Sequence, residues 1–413
     1  TDSKINGKSG GDCGGNGGIY LDDSDNNFLK NLVIEYNEDL GIHVKGDNNI
    51  LKDNLINQVC AGHGIILQGD DNFIGNNEAK YAHTQGIDIR SDSDNNNIWN
   101  NTIIQNMNRG ISISSSDSNT IFNNTIKENA DDGILISSSS FNKILNNLIV
   151  ENNDIGIAIA SSNNITINDN YISDNSAAGI DLTGSVYNSL SNNTIIENEN
   201  SIVIGGSSTR NLLVGFIGTD VQVSSNSDLT VKNYLTIQVS LGNNLVNGSE
   251  VQIKDNSDIL YATSYYNGSD AKTVSGTIQT LLITDRIYDG SHTATENITE
   301  LKVKYGNYSQ TINVSMSTSH TEVVQLNILP ISNITSISPQ ILYYNNTVTF
   351  SGSASDSDGN ITAYQWKSSI DNVLSKFELS TVITHINSFT GCLKSNFTSF
   401  FIVFLLIISL PLN

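Results

Sequence analysis

Four phrases near the start of the chain gather most of the side chains able to do chemistry: Gly18-Ile-Tyr-Leu-Asp22, Gly41-Ile-His-Val-Lys45, Gly64-Ile-Ile-Leu-Gln68 and Gly86-Ile-Asp-Ile-Arg90. Side chains of a strand alternate between its two faces. If the isoleucine and the aliphatic residue two places on point inward, then Tyr20, Asp22, His43, Lys45, Gln68, Asp88 and Arg90 point out together. An aromatic ring, an amide, a histidine and charges of both signs are the groups that hydrogen-bond sugar hydroxyls and stack on sugar C–H faces. A solvated face with scattered charge reads the same residues without a ligand. Acidic turns follow the strands and supply Asp25, Asp47, Asp71 and Asp94. Carboxylates stacked on one edge suit Ca²⁺, and Asp is equally a favoured turn residue.

No catalytic residue is assigned. Glycoside hydrolysis needs two carboxylates roughly 5 to 10 Å apart. Asp88 and Asp181 are four repeats apart, about 19 Å at one strand spacing per repeat, and Asp22 and Asp88 are three apart. Asp88 beside Arg90 suits a lyase that needs a base and charge neutralisation, and an ion pair accounts for it as well. His43, His63 and His83 occupy different places in their repeats and form no metal-ligand spacing.

What must position these residues is a repeat. Gly-Ile-x-aliphatic recurs at Gly18, Gly41, Gly64, Gly86, Gly110, Gly133, Gly156 and Gly179, with a degraded copy at Ser201, at spacings of 23, 23, 22, 24, 23, 23, 23 and 22. Between the glycines lies a second phrase, such as Asn119-Thr-Ile-Phe-Asn-Asn-Thr-Ile126. Short strands of period two, separated by Asn, Gly, Asp or Ser turns and repeated at this interval, must stack coil on coil. The expectation is all-β: a right-handed parallel β-helix of about 8–9 coils over residues 1–217, followed by antiparallel β-sandwich modules. Isoleucines should form buried columns, asparagines ladders, and the glycine before each strand should serve a tight turn or a positive φ.

The repeat resembles the NosD-type and pectin-lyase-like β-helices of carbohydrate-binding proteins and sugar hydrolases, in which saccharides bind on the outward strand face. It is specific for fold and weak for activity, because the repeat residues are structural. The phrase Gly62-His63-Gly64 is similar to one in polygalacturonases, whose preceding aspartate motifs are missing here. Copper, which the NosD name implies, finds no histidine column. Residues 218–328 alternate as Ig-like sandwich strands do. Residues 329–375 resemble the first half of a PKD domain through Phe350-Ser-Gly-Ser-Ala354, Asp356-Ser-Asp-Gly359 and Tyr364-Gln-Trp366. Residues 376–413 depart from that pattern. They read as an aberrant end, ahead of a short membrane anchor or a degenerate strand.

With 42 acidic and 20 basic residues and a net charge of −22, the chain is a poor partner for nucleic acid. Cys13, Cys60 and Cys392 are too few and scattered for a disulfide framework. The first two lie two coils apart, roughly 9 to 10 Å, so all three are read as unpaired. The chain lacks a starting methionine and reads as a fragment or a processed form. Dense Asn-x-Ser/Thr sequons, such as Asn247-Gly-Ser and Asn297-Ile-Thr, permit an exported glycoprotein. The expectation is a secreted or cell-surface protein, non-catalytic, acting in binding of a polysaccharide or envelope glycan, in adhesion or in envelope structure. A polysaccharide lyase or hydrolase on the face of coils 1–4, or a purely structural spacer, is the alternative. The cofactor expectation is none, with Ca²⁺ on the turns the exception, and a membrane is a partner only if the apolar tail is an anchor.

Overall fold

In a computed structural model, residues 3–6, 17–218 and, with gaps, 220–392 are described. The described residues contain strands and turns and no α-helix. They fall into two compact units: residues 1–235, 281–299 and 315–320, and residues 236–280, 300–314 and 321–413.

The first unit is a parallel β-helix in which each coil contributes one strand to each of three sheets. The strand after the repeat glycine joins a front sheet running from Ile19–Leu21 to Val221–Val223. The next joins a flank sheet that begins at Phe28–Lys30, and the third a back sheet from Ser3–Asn6 to Thr194–Ile196. Register is strict. Ile19, Ile42, Ile65, Ile87, Ile111, Ile134, Ile157 and Ile180 pair coil to coil in one column. From Ile42 onward its members are fully buried, and Ile19 in the first coil is half-buried.

Polar ladders run inside the turns. At the flank-to-back turn Asn54, Asn77, Asn101, Asn124, Asn147, Asn170 and Asn193 are at most 2% exposed. Each of the first six donates from Nδ2 to Oδ1 of the next, at 2.9–3.0 Å. The second N–H of Asn77 goes to the Leu51 carbonyl and that of Asn101 to the Ile74 carbonyl, and the pattern repeats up the stack. A buried amide would otherwise cost free energy for each unmade bond. The residues before these asparagines take the left-handed conformation, as at Asn100 (φ 52°) and Asn123 (φ 59°). A second ladder at the back-to-front turn joins Asn106, Asn129, Asn152, Asn175 and Asn198. It stops at Ala82 and Val59, which occupy the corresponding places in the earlier coils.

The repeat glycines are needed for a different reason from the one their sequence suggests. They have ordinary φ values, and a Cβ on Gly133 would lie 2.7 Å from the Gly156 carbonyl oxygen and 2.7 Å from Ile149 Cγ2. Close approach of stacked coils, and no positive φ, selects glycine there. Cys60 is disulfide-bonded, which corrects the unpaired reading.

The second unit holds antiparallel strands. One sheet has Asp258–Ala262, Glu250–Asp255, Thr299–Tyr305 and Tyr308–Val314 in that order. Thr347–Ser355 pairs with Ile331–Ser338 and Phe389–Cys392, and Ala363–Ser368 pairs with Asn372–Glu378. The Asp356–Gly359 turn and the terminal apolar run lie outside the described residues.

The stacked isoleucines set the stability of the helix. Ile134→Ala is expected to cost about 2–5 kcal/mol. Ile134→Asp should unfold several coils, because it places an unpaired charge in a dry column. Urea unfolding followed by circular dichroism measures both, and a solvent-tolerant Ile134→Asp variant would contradict the column.

Candidate functional site

The front sheet carries the outward residues in the order the repeat dictates, with Tyr20, His43, Ile66 and Asp88 in register on successive coils. The Tyr20 ring, 53% exposed, meets His43 edge-on at 4.7 Å between centroids. His43 Nε2 bonds Gln68 Oε1 at 2.8 Å. Lys45 Nζ lies 3.2 Å from Asp22 and 3.0 Å from Asp23, and its side chain is 45% exposed. Hydrogen bonds to Asp23 and then Asp22 hold the Lys45 pKa up. The seven expected residues therefore occupy one face and touch in pairs.

Asp88 departs from the expectation of a solvated face. It is on the outer row yet only 5% exposed. Its Oδ2 is 3.3 Å from Arg90 and 3.6 Å from His63 Nδ1, with Arg109 near enough to act on its charge. Burial raises its pKa, an effect that His63 and Arg90 oppose. Burial lowers the pKa of His63, and Asp88 opposes it. Burial likewise lowers His43. Nδ1 of His63 and Oγ1 of Thr84, both buried, have no hydrogen-bond partner among the described residues.

His63 was singled out but left out of the site, and Arg109 was missed, because the sequence was read in columns. Both stand just before a repeat glycine, whereas Asp88 stands two residues after one. The turn brings those two positions together one coil apart. The residue before each glycine is therefore the signal that could have found them.

Further along, Arg109 Nε bonds Asp132 Oδ2 at 3.0 Å and its other nitrogen lies 3.3 Å from Asp131. Ligand atoms of Asp131, Asp132 and Asp154 all lie within 4.8 Å of one another. Burial raises the pKa of Asp132 and of Asp154. Asp181 is also raised by burial and accepts from Thr183 Oγ1 at 2.7 Å. It is four registered strands from Asp88, so these two cannot flank one glycosidic bond.

Of the acidic turns, Asp25, Asp47 and Asp94 belong to one column. Asp25 accepts the Asp47 backbone N–H at 2.8 Å, Asp47 that of Asp70 at 2.8 Å, and Asp94 that of Asp117 at 2.6 Å. Asp70, and not Asp71, completes this column, accepting from Asp94 at 2.8 Å.

Residues 2–149 match the family described as "Right handed beta helix region", and residues 128–313 the family described as "Periplasmic copper-binding protein (NosD)". No curated protein matches the chain. Among solved structures it is similar to the A-module of Azotobacter vinelandii mannuronan C-5 epimerase AlgE6, at 16% identity and a TM-score of 0.45. That likeness covers 50% of this chain and 64% of the other. Pectate lyase Pel9A is 15% identical over 55% of this chain and 67% of that one, with a TM-score of 0.41. The periplasmic alginate epimerase AlgG is 19% identical over 47% and 46%, at 0.37.

Among the described residues, the copper of the second family description does not fit the donors. His43 Nε2 is held by Gln68, and His63 Nδ1 faces Asp88. Among the described residues the group of three close ligands is all carboxylate, a hard oxygen set suited to Ca²⁺, Mg²⁺ or Mn²⁺.

The lowered His63 and His43 values have a consequence for stability. The unfolded chain takes up these protons first as pH falls below the ordinary 6.5, so stability falls with pH in that window. Thermal melts between about pH 7.5 and 5.5 should show this loss, smaller in His63→Gln. An unchanged pH slope in His63→Gln would contradict a lowered His63.

Proposed function

We propose that the front face of coils 1–4 binds a polysaccharide or cell-envelope glycan, without catalysis, in a protein of the cell surface or extracellular space. The observation that carries this is the linked row Tyr20–His43–Gln68 beside His63–Asp88–Arg90. Its polar groups are held by one another, so a saccharide meets them already oriented and little side-chain entropy is lost on binding. Lys45 and Arg90 keep 45% and 38% of their side chains exposed and reach an incoming carboxylate or hydroxyl. The corresponding positions of coils five to seven hold Ser112 and Ser114, Leu135 and Ser137, Ala158 and Ala160. A disulfide at Cys60 supports an oxidising compartment, and the periplasmic family description agrees with one outside the cytoplasm. Residues 218–328 as an Ig-like spacer and 329–375 as a partial PKD module belong to the same reading, in which they display the helix at the surface.

A lyase is the second reading, favoured by the opposed perturbation of His63 and Asp88. Perturbed pairs of this kind cluster at catalytic sites. A histidine kept neutral near pH 7 has the free nitrogen a general base needs, and Arg90 and Arg109 stand where a sugar carboxylate could be neutralised.

A glycan array with the whole chain tests the first reading. Lys45→Ala with Arg90→Ala should weaken binding of an acidic glycan about tenfold or more, whereas Ser114→Ala with Ser137→Ala should leave it unchanged. Equal binding by both variants, or no glycan retained by the parent chain, would favour the structural spacer. Unsaturated sugar ends accumulating from any bound glycan would move the assignment to the lyase.

Calcium on the turn edge has a separate test. The Asp25, Asp47 and Asp94 carboxylates already accept inter-coil N–H groups, so the coils need no cation there. Chelator is expected to leave the melting temperature unchanged, and a drop of several degrees that disappears in Asp47→Asn with Asp94→Asn would place Ca²⁺ on that edge.

A further inference from the structure

A second outward surface, on the flank sheet, has chemistry unlike the front face. Trp99, Phe122 and Leu145 are in register on three successive coils. Gly75 holds the same place one coil earlier. The ring of Phe73 fills it: a Cβ on Gly75 would lie 2.3 Å from Phe73 Cε1. The Phe73 and Trp99 rings lie 6.1 Å apart and 37° from parallel. Four large apolar side chains, all half-buried, thus form a stripe with one member per coil. Core packing does not require them, because the inward residues of these strands are Ile74, Ile98, Ile121 and Ile144.

Beside the stripe runs an outer amide ladder, made by the residues after Gly75, Trp99 and Phe122. Asn100 Nδ2 donates to Asn76 Oδ1 at 2.9 Å, and Asn123 Nδ2 to Asn100 Oδ1 at 2.9 Å. Asn76 is tied in turn to Asp53 at 2.9 Å. Asn100, Asn123 and Asn146 are exposed. An amide has two N–H donors and two acceptor lone pairs. Asn100 spends one of each on its neighbours and presents the others outward, in an orientation that the ladder fixes.

We propose that this strip, Phe73, Trp99, Phe122 and Leu145 with Asn76, Asn100 and Asn123, binds a neutral polysaccharide chain. The rings offer apolar faces to sugar C–H groups. The locked amides offer a donor and an acceptor per coil, the pairing that two neighbouring hydroxyls require. None of the seven side chains is ionised, so the strip itself offers a sugar carboxylate or sulfate no opposite charge, and the matching ligand is uncharged. The strip is on a different sheet from the front site and does not rest on that assignment.

Native gels cast with soluble xyloglucan, galactomannan or mixed-linkage β-glucan test this with the full chain. The parent chain should be retarded by at least one of the three. Trp99→Ala with Phe122→Ala should raise the dissociation constant about tenfold or more. Asn100→Ala with Asn123→Ala should weaken retardation with the stripe left in place, and Ser114→Ala with Ser137→Ala should not. No retardation of the parent chain in any gel, or retardation of both strip variants as strong as the parent's, would overturn the proposal. So would a concentration-dependent dimer that disappears in Trp99→Ala with Phe122→Ala, which would give the strip to a second copy of the chain.

Discussion

The constraint on which the rest depends is that every coil must present its neighbour with the same cross-section. Two features enforce it. The repeat glycines let the backbones approach until a single methyl group would collide with the next carbonyl, as at Gly133. The buried asparagines close each turn by reaching across to the next coil. A coil with a different profile would lose both the aliphatic columns and the amide bonds. Side chains able to do chemistry are thereby confined to positions that do not face the stack.

Three kinds of position escape it: outward strand residues, the residue before each glycine, and the left-handed residue of each flank turn. The front site uses the first two and the flank strip the first and third. The early coils differ from the later ones where the stack tolerates difference. The back-to-front ladder that joins Asn106 to Asn198 is interrupted at Ala82 and Val59. The interruption falls in the coils that carry His63 and the outward row down to Asp88. The site lies where the inner hydrogen-bond scaffold is thinnest.

Much of the fold was legible because the repeat glycine fixes phase. Once Gly18, Gly41 and their successors align, the inward isoleucines and outward pairs follow from strand alternation alone. The role of glycine was not legible, since close approach and positive φ select the same residue. The burial of Asp88 was hidden for a related reason. Alternation says which side of a strand a residue is on, and says nothing of what the neighbouring turn lays over it. His63 and Arg109 come from that turn. Cys60 escaped because three scattered cysteines show no disulfide spacing. The acidic turns were legible as a column only in part, because the aspartate in line stands seven residues after the repeat glycine at Asp25, six at Asp47 and Asp70 and eight at Asp94.

The flank-to-back ladder also has a direction. Each amide from Asn54 to Asn170 gives an N–H to the amide of the following coil, and each from Asn77 to Asn193 takes one from the preceding coil. Such a stack is indifferent to its own length. Deleting or duplicating one whole coil leaves every rung with one giver and one taker, whereas a single inserted residue dislocates all three sheets at once. Inheritance can therefore lengthen or shorten this rod only in steps of a complete turn, and recombination between repeats is a safer source of novelty for it than small insertions. A duplicated early coil would carry its outward side chains with it, widening a binding face without any new folding problem to solve.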